Sequence, residues 1–318
     1  MHYLGIDIGG TGLKAGLVDE NGTIIARQTI PVDAKHSEFE SYLANELAVI
    51  TKQLLFDNDL SLEDIPYVGI GVPGPCDDKN GIFLFAPNLP IKNMELRRMF
   101  QEHLDIPVHV GNDANCAALG EYYAGAGKQY SSMVLITLGT GVGTGIILDG
   151  KMWTGCNGAG AEGGHIVVRP DGIECGCGRK GCLEVYASAS GLIRMAREQM
   201  QTEKESLLWT LAEGDEMKVT GRTVFAAAEQ KDLAAGKVLE EYVDVLSDGC
   251  LNIINLLQPE AIVLGGGISG AADKLLLNPL REKTYGRDLA RYSSPKTQIV
   301  KAELGNDAGI IGAAFLGK

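Results

Sequence analysis

The sequence has no long hydrophobic run, no excess of positive charge and no even set of cysteines. No apolar stretch approaches the roughly 20 residues that a membrane-spanning helix needs, and the N-terminus lacks the basic region and cleavage site of a signal peptide. A formal net charge of −13 is unsuited to nucleic acid, because clustered Lys and Arg must neutralise its phosphates. Seven cysteines, an odd number, argue against a disulfide framework. We therefore expect a cytoplasmic protein without membrane or nucleic-acid partners.

Length and composition indicate a globular protein of two domains. At 318 residues the chain exceeds the usual size of one hydrophobic core. Its 45% hydrophobic and 22% charged residues are typical of folded chains rather than disordered ones. Strand patterns alternate with helical patterns, including a predicted helix over 39–56. This alternation predicts an α/β fold.

One local pattern occurs twice. A strand at 3–8 runs into the glycine turn 9–12 and a return strand at 13–18. The segment 133–148 repeats this order, with a strand, the glycine-rich turn 139–145 and a return strand. The repetition predicts a duplicated architecture in which one glycine-bearing hairpin opens each half.

The glycine turns are candidate phosphate-binding sites. Phosphates need backbone N–H groups at close range, and glycine has no Cβ to block the approach. A third candidate, Gly265–Gly267, follows the buried strand 261–264. For any single turn, glycine is equally explained by tight-turn geometry. A dinucleotide fingerprint is excluded because the chain continues as a hairpin after Gly143, and a P-loop is excluded because no Gly-Lys-Ser/Thr follows.

Several polar residues have two interpretations from the sequence alone. Asp113 stands where a strand ends and a helix begins, so it is either a general base or a helix N-cap. Lys14 is either a phosphate partner or a solvated strand residue. Glu162, His165 and Glu184 suit the recognition of several hydroxyl groups, although such residues are often ordinary surface positions.

A metal site is predicted by the spacing His165-x9-Cys175-x-Cys177-x4-Cys182. Three thiolates and one imidazole complete a tetrahedral structural zinc site. The alternative is three reduced cysteines in a loop. Ligation through one ring nitrogen of His165 leaves the other nitrogen free for a substrate. The remaining four cysteines are expected to be small buried residues, at Cys76, Cys116, Cys156 and Cys250.

Six short motifs, in order along nearly the whole chain, carry a family resemblance. They are Asp7-Ile-Gly9-Gly10-Thr11-x-x-Lys14, Gly111-Asn112-Asp113-Ala-Asn115, Leu138-Gly139-Thr140-Gly141-x-Gly143, Glu162-x-x-His165, the cysteine cluster with Glu184, and Pro259-Glu-Ala-Ile-Val-Leu-Gly265-Gly266-Gly267. With these motifs the chain resembles the ROK family (repressor, open reading frame, kinase), within the superfamily of actin-like ATPases and sugar kinases.

The resemblance implies a fold and an assembly. The expected fold is α/β, with two duplicated actin-like ATPase (ribonuclease H-like) domains, mixed sheets and an interdomain cleft. The small N-terminal domain is expected at 1–113 plus 305–318, and the large C-terminal domain with the zinc site at 114–304. A homodimer is expected, since dimers are common in the family.

The resemblance also implies an ATP site with Mg²⁺. Asp7 is expected to help hold the Mg²⁺ that accompanies ATP, and Gly265–Gly267 to lie against the adenosine. The residues expected to bind ATP are Asp7, Gly9, Gly10, Thr11, Lys14, Gly139, Thr140, Gly141, Gly265, Gly266 and Gly267.

For the sugar, the resemblance makes Asp113 the catalytic base. The residues expected to bind the sugar are Asn88, Asn112, Asp113, Glu162, His165 and Glu184. The family more often has glycine where this chain has Ala161. Glucokinase-like members often carry an aromatic residue where Ile91 stands, which weakens the assignment of glucose.

The expected reaction is the ATP-dependent phosphorylation of a hexose at its 6-hydroxyl, with glucose as substrate. Alternatives are allose, fructose, mannose or an N-acetylated hexosamine such as N-acetylmannosamine. A non-catalytic sugar-sensing regulator is the alternative from another class. Repressors of the family carry a helix-turn-helix before the first glycine motif, which begins here at Asp7.

Overall fold

A computed structural model describes residues 1–10, 12–86, 88–289, 292 and 294–318. The chain forms two compact units. The first comprises Met1–Leu135, Gly145–Ala161 and Glu303–Lys318, and the second comprises Ile136–Thr144 and Glu162–Ala302. None of the helices in the described ranges has the length and apolarity needed to cross a bilayer.

Strands and helices alternate along the chain, as the sequence predicts. The strands are β1 (His2–Ile8), β2 (Gly12–Asp19), β3 (Ile24–Pro31), β4 (Val68–Val72), β5 (Cys76–Asp77), β6 (Ile82–Phe85), β7 (Lys92–Met94), β8 (Val108–Asn112), β9 (Met133–Leu138), β10 (Val142–Leu148), β11 (Lys151–Trp153), β12 (Ala261–Gly265) and β13 (Gln298–Lys301). The helices are α1 (Phe39–Phe56), α2 (Leu96–Gln101), α3 (Asp113–Ala124), α4 (Glu184–Ala187), α5 (Ala189–Thr202), α6 (Leu207–Leu211), α7 (Gly221–Glu229), α8 (Leu233–Leu257), α9 (Leu277–Arg287) and α10 (Ala308–Ala314).

Both large sheets are mixed and have five strands. The first has the order β3-β2-β1-β4-β8, in which β1 is antiparallel to β2 and parallel to β4. The second has the order β11-β10-β9-β12-β13, in which β10 and β11 are antiparallel and β12 and β13 are parallel. Each sheet thus has antiparallel strands toward one edge and parallel strands toward the other. The α/β class with mixed sheets that the sequence predicts is confirmed.

The core of the first unit depends on a close approach between helix α10 and the first sheet. Gly5 and Gly69 are paired across β1 and β4. A Cβ on Gly5 would lie 2.1 Å from the carbonyl oxygen of Ile310, and one on Gly69 would lie 1.8 Å from that of Ala313. Glycine at both positions therefore lets α10 lie directly on the sheet, where it also packs against α3.

The second glycine-rich segment is a shorter turn than predicted. Strand β10 already begins at Val142 and includes Gly145. A Cβ on Gly145 would lie 2.5 Å from the Cβ of Ala118 on α3. This glycine thus serves the packing of a strand against a helix, which cannot be distinguished from turn geometry by local sequence.

A small antiparallel sheet of β5, β6 and β7 was not predicted. Its strands have two to four residues, too few to show a periodic pattern. By their contacts, residues 113–124 of α3 belong to the first unit together with α10. The predicted domain boundaries, 1–113 plus 305–318 and 114–304, stay a prediction about independently folding parts.

Candidate active site

The first glycine turn follows β1 and carries Asp7 at its start. The N–H of Gly9 donates to the carbonyl oxygen of Gly12 at 2.9 Å, and Asp7 is paired with Lys14 across the hairpin. Burial raises the pKa of Asp7, and the charge of Lys14 partly opposes that shift. A largely buried carboxylate with a raised pKa gains stability from a cation, so Asp7 fits the expected contact with Mg²⁺. Thr11 lies outside the described residues.

The space above this turn is open. A Cβ on Gly10 would find its nearest neighbour, the Cβ of Asn88, at 3.9 Å, an ordinary contact distance. Among the described residues, neither packing nor a positive φ therefore requires glycine at this position. Close approach of a ligand explains the residue better. Asn88, predicted to bind the sugar, lies beside the turn and is exposed.

The sequence did not decide which residue caps α3. The structure shows that Asn112 caps the helix and Asp113 does not. The side chain of Asn112 accepts from the N–H groups of Ala114 and Asn115, and its amide donates to the carbonyl oxygen of Gly74 at 3.1 Å. Asp113 is the first residue of α3 and is exposed, with Oδ1 also accepting from the N–H of Ala114 at 2.8 Å. The capping interpretation of Asp113 is therefore wrong, because its neighbour fills that place.

The second glycine turn joins β9 to β10. The N–H of Gly139 donates to the carbonyl oxygen of Gly141 at 3.0 Å, so the turn closes on itself. A Cβ on Gly139 would meet nothing nearer than 3.9 Å, as at Gly10 in the first unit. A Cβ on Gly141 would lie 2.3 Å from Oε2 of Glu184. Gly139 is thus open to a ligand, while Gly141 makes room for a neighbouring carboxylate.

The third glycine group follows β12. Gly266 has φ +81°, a left-handed conformation, and a Cβ there would lie 2.6 Å from the backbone of Leu138. Beyond its own chain neighbours, none of the described residues comes within 4 Å of the place a Cβ on Gly267 would occupy. The first of these glycines therefore shapes the backbone, and the second leaves open space. Gly265 is the buried last residue of the strand.

Four ligand side chains converge in the second unit. The donor atoms of His165, Cys175, Cys177 and Cys182 all lie within 4.8 Å of one another. Sγ of Cys175 is 3.6 Å from Nδ1 of His165, and Sγ of Cys177 is 3.6 Å from Sγ of Cys182. Backbone bridges pair Val167 with Cys182 and hold the loop in place.

This cluster fits a zinc ion. Sulfur at about 2.3 Å and nitrogen at about 2.0 Å from one ion, at tetrahedral angles, lie about 3.8 Å (S to S) and about 3.5 Å (S to N) apart. The Cys175–His165 and Cys177–Cys182 distances are close to these values, and all donor atoms lie within 4.8 Å of one another. Burial raises the pKa of the Cys182 thiol to about 12, and a bound cation would favour its thiolate.

Glu184 lies between the metal-ligand cluster and the second glycine turn. Its Oε2 accepts from the N–H of Val142 at 3.0 Å, and its Oε1 is 3.8 Å from Sγ of Cys175. Sequence reasoning placed Glu184 at the sugar but missed the contact with the turn, since no local pattern links positions 42 residues apart. Glu162 is exposed, and its carbonyl oxygen accepts from the N–H of His165.

The four cysteines outside the metal-ligand cluster differ in their exposure to solvent. Cys76, Cys116 and Cys250 are buried as predicted, whereas Cys156 is exposed, because it lies in the glycine-rich loop after β11. Ile91 is 3% exposed and belongs to the hydrophobic core of the first unit. Its side chain is therefore fixed by core packing.

The whole chain is similar to known sugar kinases. It is 38% identical to a glucokinase of Thermotoga maritima over 317 residues, covering 99% of this chain and 97% of that protein. It is 36% identical to a ROK family glucokinase from Streptomyces griseus solved with glucose and AMPPNP, with a TM-score of 0.82 and 99% of both chains covered. It is also 29% identical to a xylose repressor of Bacillus spizizenii, of which it covers 76%.

These likenesses agree with the duplicated mixed sheets, and the fold is that of the actin-like ATPases. The model of the ROK family matches residues 3–318. The chain belongs to the ROK family.

Proposed function

We propose that this protein is an ATP-dependent glucokinase that phosphorylates the 6-hydroxyl of glucose. One observation carries the proposal: in both units a glycine turn has open space where a Cβ would lie, at Gly10 and Gly139. Backbone N–H groups can reach phosphate oxygens closely at such positions. The identity of 36–38% with glucokinases over nearly the full chain supports glucose as the acceptor.

The donor side of the proposed site consists of backbone and two charged groups. Within the turns at Gly9–Gly10 and Gly139–Gly141, the N–H groups of Gly10, Thr140 and Gly141 bind the phosphates, because those of Gly9 and Gly139 close the turns. Gly265–Gly267 lies against the adenosine. Asp7 would help to hold Mg²⁺, which when bound would neutralise charge on the transferring phosphoryl group. Lys14 supplies a further positive charge beside Asp7, its partner across the hairpin.

On the acceptor side, Asp113 acts as general base. An alcohol becomes a good nucleophile when its proton is removed, and the exposed carboxylate of Asp113 can accept the proton of the 6-hydroxyl. The oxygen then bonds to the γ-phosphorus as ADP leaves. The other hydroxyl groups are bound by polar side chains, at Asn88, Asn112, Glu162, His165 and Glu184.

A zinc ion in the cluster of His165, Cys175, Cys177 and Cys182 would have a structural role. When bound, zinc fixes the cysteine loop and the orientation of the His165 ring. Because Nδ1 of His165 is the ring atom near Cys175, Nε2 is the nitrogen left for a sugar hydroxyl.

A panel of sugars assayed with ATP tests the proposal. We expect the highest kcat/KM for glucose, with 2-deoxyglucose and N-acetylmannosamine clearly lower. A site that hydrogen-bonds hydroxyl groups rejects analogues that leave its polar groups unpaired. If allose or an N-acetylated hexosamine exceeds glucose by about tenfold, which is 1.4 kcal/mol, the assignment of glucose is wrong and the kinase class survives.

The similarity to xylose repressors supports a second candidate, a sugar-responsive regulator. The two functions differ in a simple observation. A kinase turns over ATP in the presence of its sugar and produces ADP and a sugar phosphate in equal amounts. A protein that binds glucose but produces neither would be a regulator.

Further proposals concern organisation and location. We propose that 1–113 with 305–318 and 114–304 are the two domains, that the protein acts as a homodimer, and that it resides in the cytoplasm. Limited proteolysis, analytical ultracentrifugation and cell fractionation test these three statements in turn.

A further inference from the structure

The N-terminal end of helix α5 contacts the second glycine turn directly. The N–H of Ala189 donates to the carbonyl oxygen of Gly139 at 2.8 Å. The hydroxyl of Ser190 donates to the carbonyl oxygen of Thr140 at 2.9 Å. Two successive carbonyl groups of the turn are therefore held by two successive residues of the helix.

This arrangement determines the direction of the N–H groups in the turn. In a trans peptide, the C=O of one residue and the N–H of the next point in opposite directions. Because the carbonyl oxygens of Gly139 and Thr140 face α5, the N–H groups of Thr140 and Gly141 face away from it. Both are among the N–H groups that the proposed function assigns to phosphate.

Side-chain packing gives the second glycine turn little support on the side that faces α5. A cavity of about 450 Å³ opens beside it, lined by Thr140 and Gly141 and by residues of α4 and α5 that include Glu184 and Arg194. Where packing is incomplete, hydrogen bonds supply most of the constraint on a backbone segment. The bond from Ser190 is thus a main restraint on the peptide between Thr140 and Gly141.

The rest of the turn is restrained by other groups. Glu184 accepts from the N–H of Val142, and Gly141 accepts from the N–H of Gly139. Ala189 contributes its backbone, which substitution does not remove. Of the side chains in these contacts, Ser190 is the one that acts on the Thr140 carbonyl.

We propose that Ser190 is a positioning residue for the phosphoryl donor: its hydroxyl anchors the Thr140 carbonyl and so aims the N–H of Gly141 at the donor phosphates. The inference rests on the proposed function for the identity of the donor. Ser190 acts on the donor through the N–H of Gly141 without touching the donor itself. Its loss therefore affects affinity for the nucleotide and not affinity for the sugar.

Ser190→Ala tests the proposal in the full chain. We expect KM for ATP and Kd for AMPPNP to rise about three- to tenfold, the effect of one hydrogen bond. KM for glucose should stay within about twofold of wild type, and Tm within about 1 °C. Ser190→Thr keeps a hydroxyl on the helix and should return both nucleotide constants to within about twofold.

Ser188→Ala is the matched control on the same helix end. Ser188 caps α5 by accepting from the N–H of Gly191, whereas the Thr140 carbonyl accepts from Ser190. Its loss should lower Tm by about 2–4 °C without raising KM for ATP. An unchanged KM and Kd in Ser190→Ala overturn the proposal, and so do equal rises in the two variants, which indicate general loosening of the helix.

The failure of this inference differs from the failure of the proposed function. A wild-type protein that binds AMPPNP but phosphorylates no hexose overturns the proposed function, and the AMPPNP affinities of the variants still decide the role of Ser190. A wild-type protein that binds no AMPPNP overturns both.

Discussion

The two glycine turns have the same sequence pattern and are held in different ways. The first closes through Gly9 and Gly12 within one hairpin, whose strands pair in continuous register up to Ile8 and Leu13. The second also closes on itself, but it is tied to Ala189, Ser190 and Glu184, more than 40 residues later in the chain. A repeated local pattern can thus be supported by neighbours in sequence in one copy and by tertiary contacts in the other.

The difference has consequences for mutation. Functional groups of the first unit lie on locally determined elements, such as the hairpin of Asp7 and the capped helix start at Asp113. Groups of the second unit depend on contacts between segments that are distant in the chain, above all in the cluster of His165 and three cysteines. We expect substitution of the first unit's functional groups to reduce chemistry without loss of structure, and substitution within the metal-ligand cluster of the second unit to reduce chemistry and stability together.

The largest effect is expected for Asp113→Asn in the first unit. The amide keeps an oxygen for the N–H of Ala114 and Asn112 keeps the cap, so the fold and glucose affinity should be preserved. The amide cannot accept the hydroxyl proton, and kcat should fall by about 10²–10⁴. Steady-state kinetics and calorimetric titration with glucose measure the two quantities. A near-normal kcat would show that Asp113 is not the base.

In the second unit, Cys177→Ser tests whether chemistry and stability are lost together. We expect metal content to fall from about one zinc per chain and the free energy of unfolding to drop by about 3–5 kcal/mol. Glucose affinity should decrease as well, because the loop carries His165 and is joined to Glu184. Elemental analysis, thermal unfolding and glucose titration check these outcomes.

Cys156→Ser is the control for that experiment, since Cys156 is exposed and stands outside the cluster. It should leave metal content, stability and affinity unchanged. Active wild-type protein without zinc would contradict the structural role of the metal.

Gly10→Ala and Gly139→Ala compare the two turns directly. The protein has room for a Cβ at both positions, so Tm should change little. A bound phosphate would meet the new methyl group, and KM for ATP should rise about tenfold or more in both variants. Gly236→Ala on α8, where nothing lies within 4 Å, is the control and should stabilise the helix by about 1 kcal/mol without changing KM. A rise in KM in one turn alone would mean that only that turn binds phosphate.

The smallest effect is expected at Ala161, which joins the segments assigned to the two units. Its φ is +67°, a left-handed conformation that costs an alanine about 1–2 kcal/mol. Glycine relieves this strain but loses about 0.5–1 kcal/mol through its flexible unfolded state. Ala161→Gly should therefore raise Tm by about 1 °C. Ala159→Gly, in the same loop, has no positive φ to relieve and should lower Tm.

Elements whose sequence patterns are long, or end at clear turn residues, were predicted well. The helix expected at 39–56 is α1 with the same bounds, since its apolar residues recur at helical spacing over 18 residues. The first hairpin, expected from strands at 3–8 and 13–18, is also confirmed as β1 paired antiparallel with β2. The short strands β5 to β7 were missed because two to four residues show no period.

Site residues with a fixed spacing were found from sequence, and their partners were not. The histidine and three cysteines converge as their spacing predicts. The identity of the helix cap was not predictable, because Asn112 and Asp113 are both good capping residues and only the backbone geometry distinguishes them. Gly145 and Gly141 were grouped with turn glycines, although one faces α3 and the other faces Glu184.

The sequence by itself determined the α/β alternation, the repeated hairpins, the metal-ligand set and the family, because each depends on residue type at short, regular intervals. Tertiary structure alone decided which glycines face a ligand and which face a neighbouring element, which of two polar residues caps α3, and how the second turn is anchored. These outcomes depend on atoms that approach within a few ångströms from positions far apart in the chain, and a linear pattern carries no record of such distances.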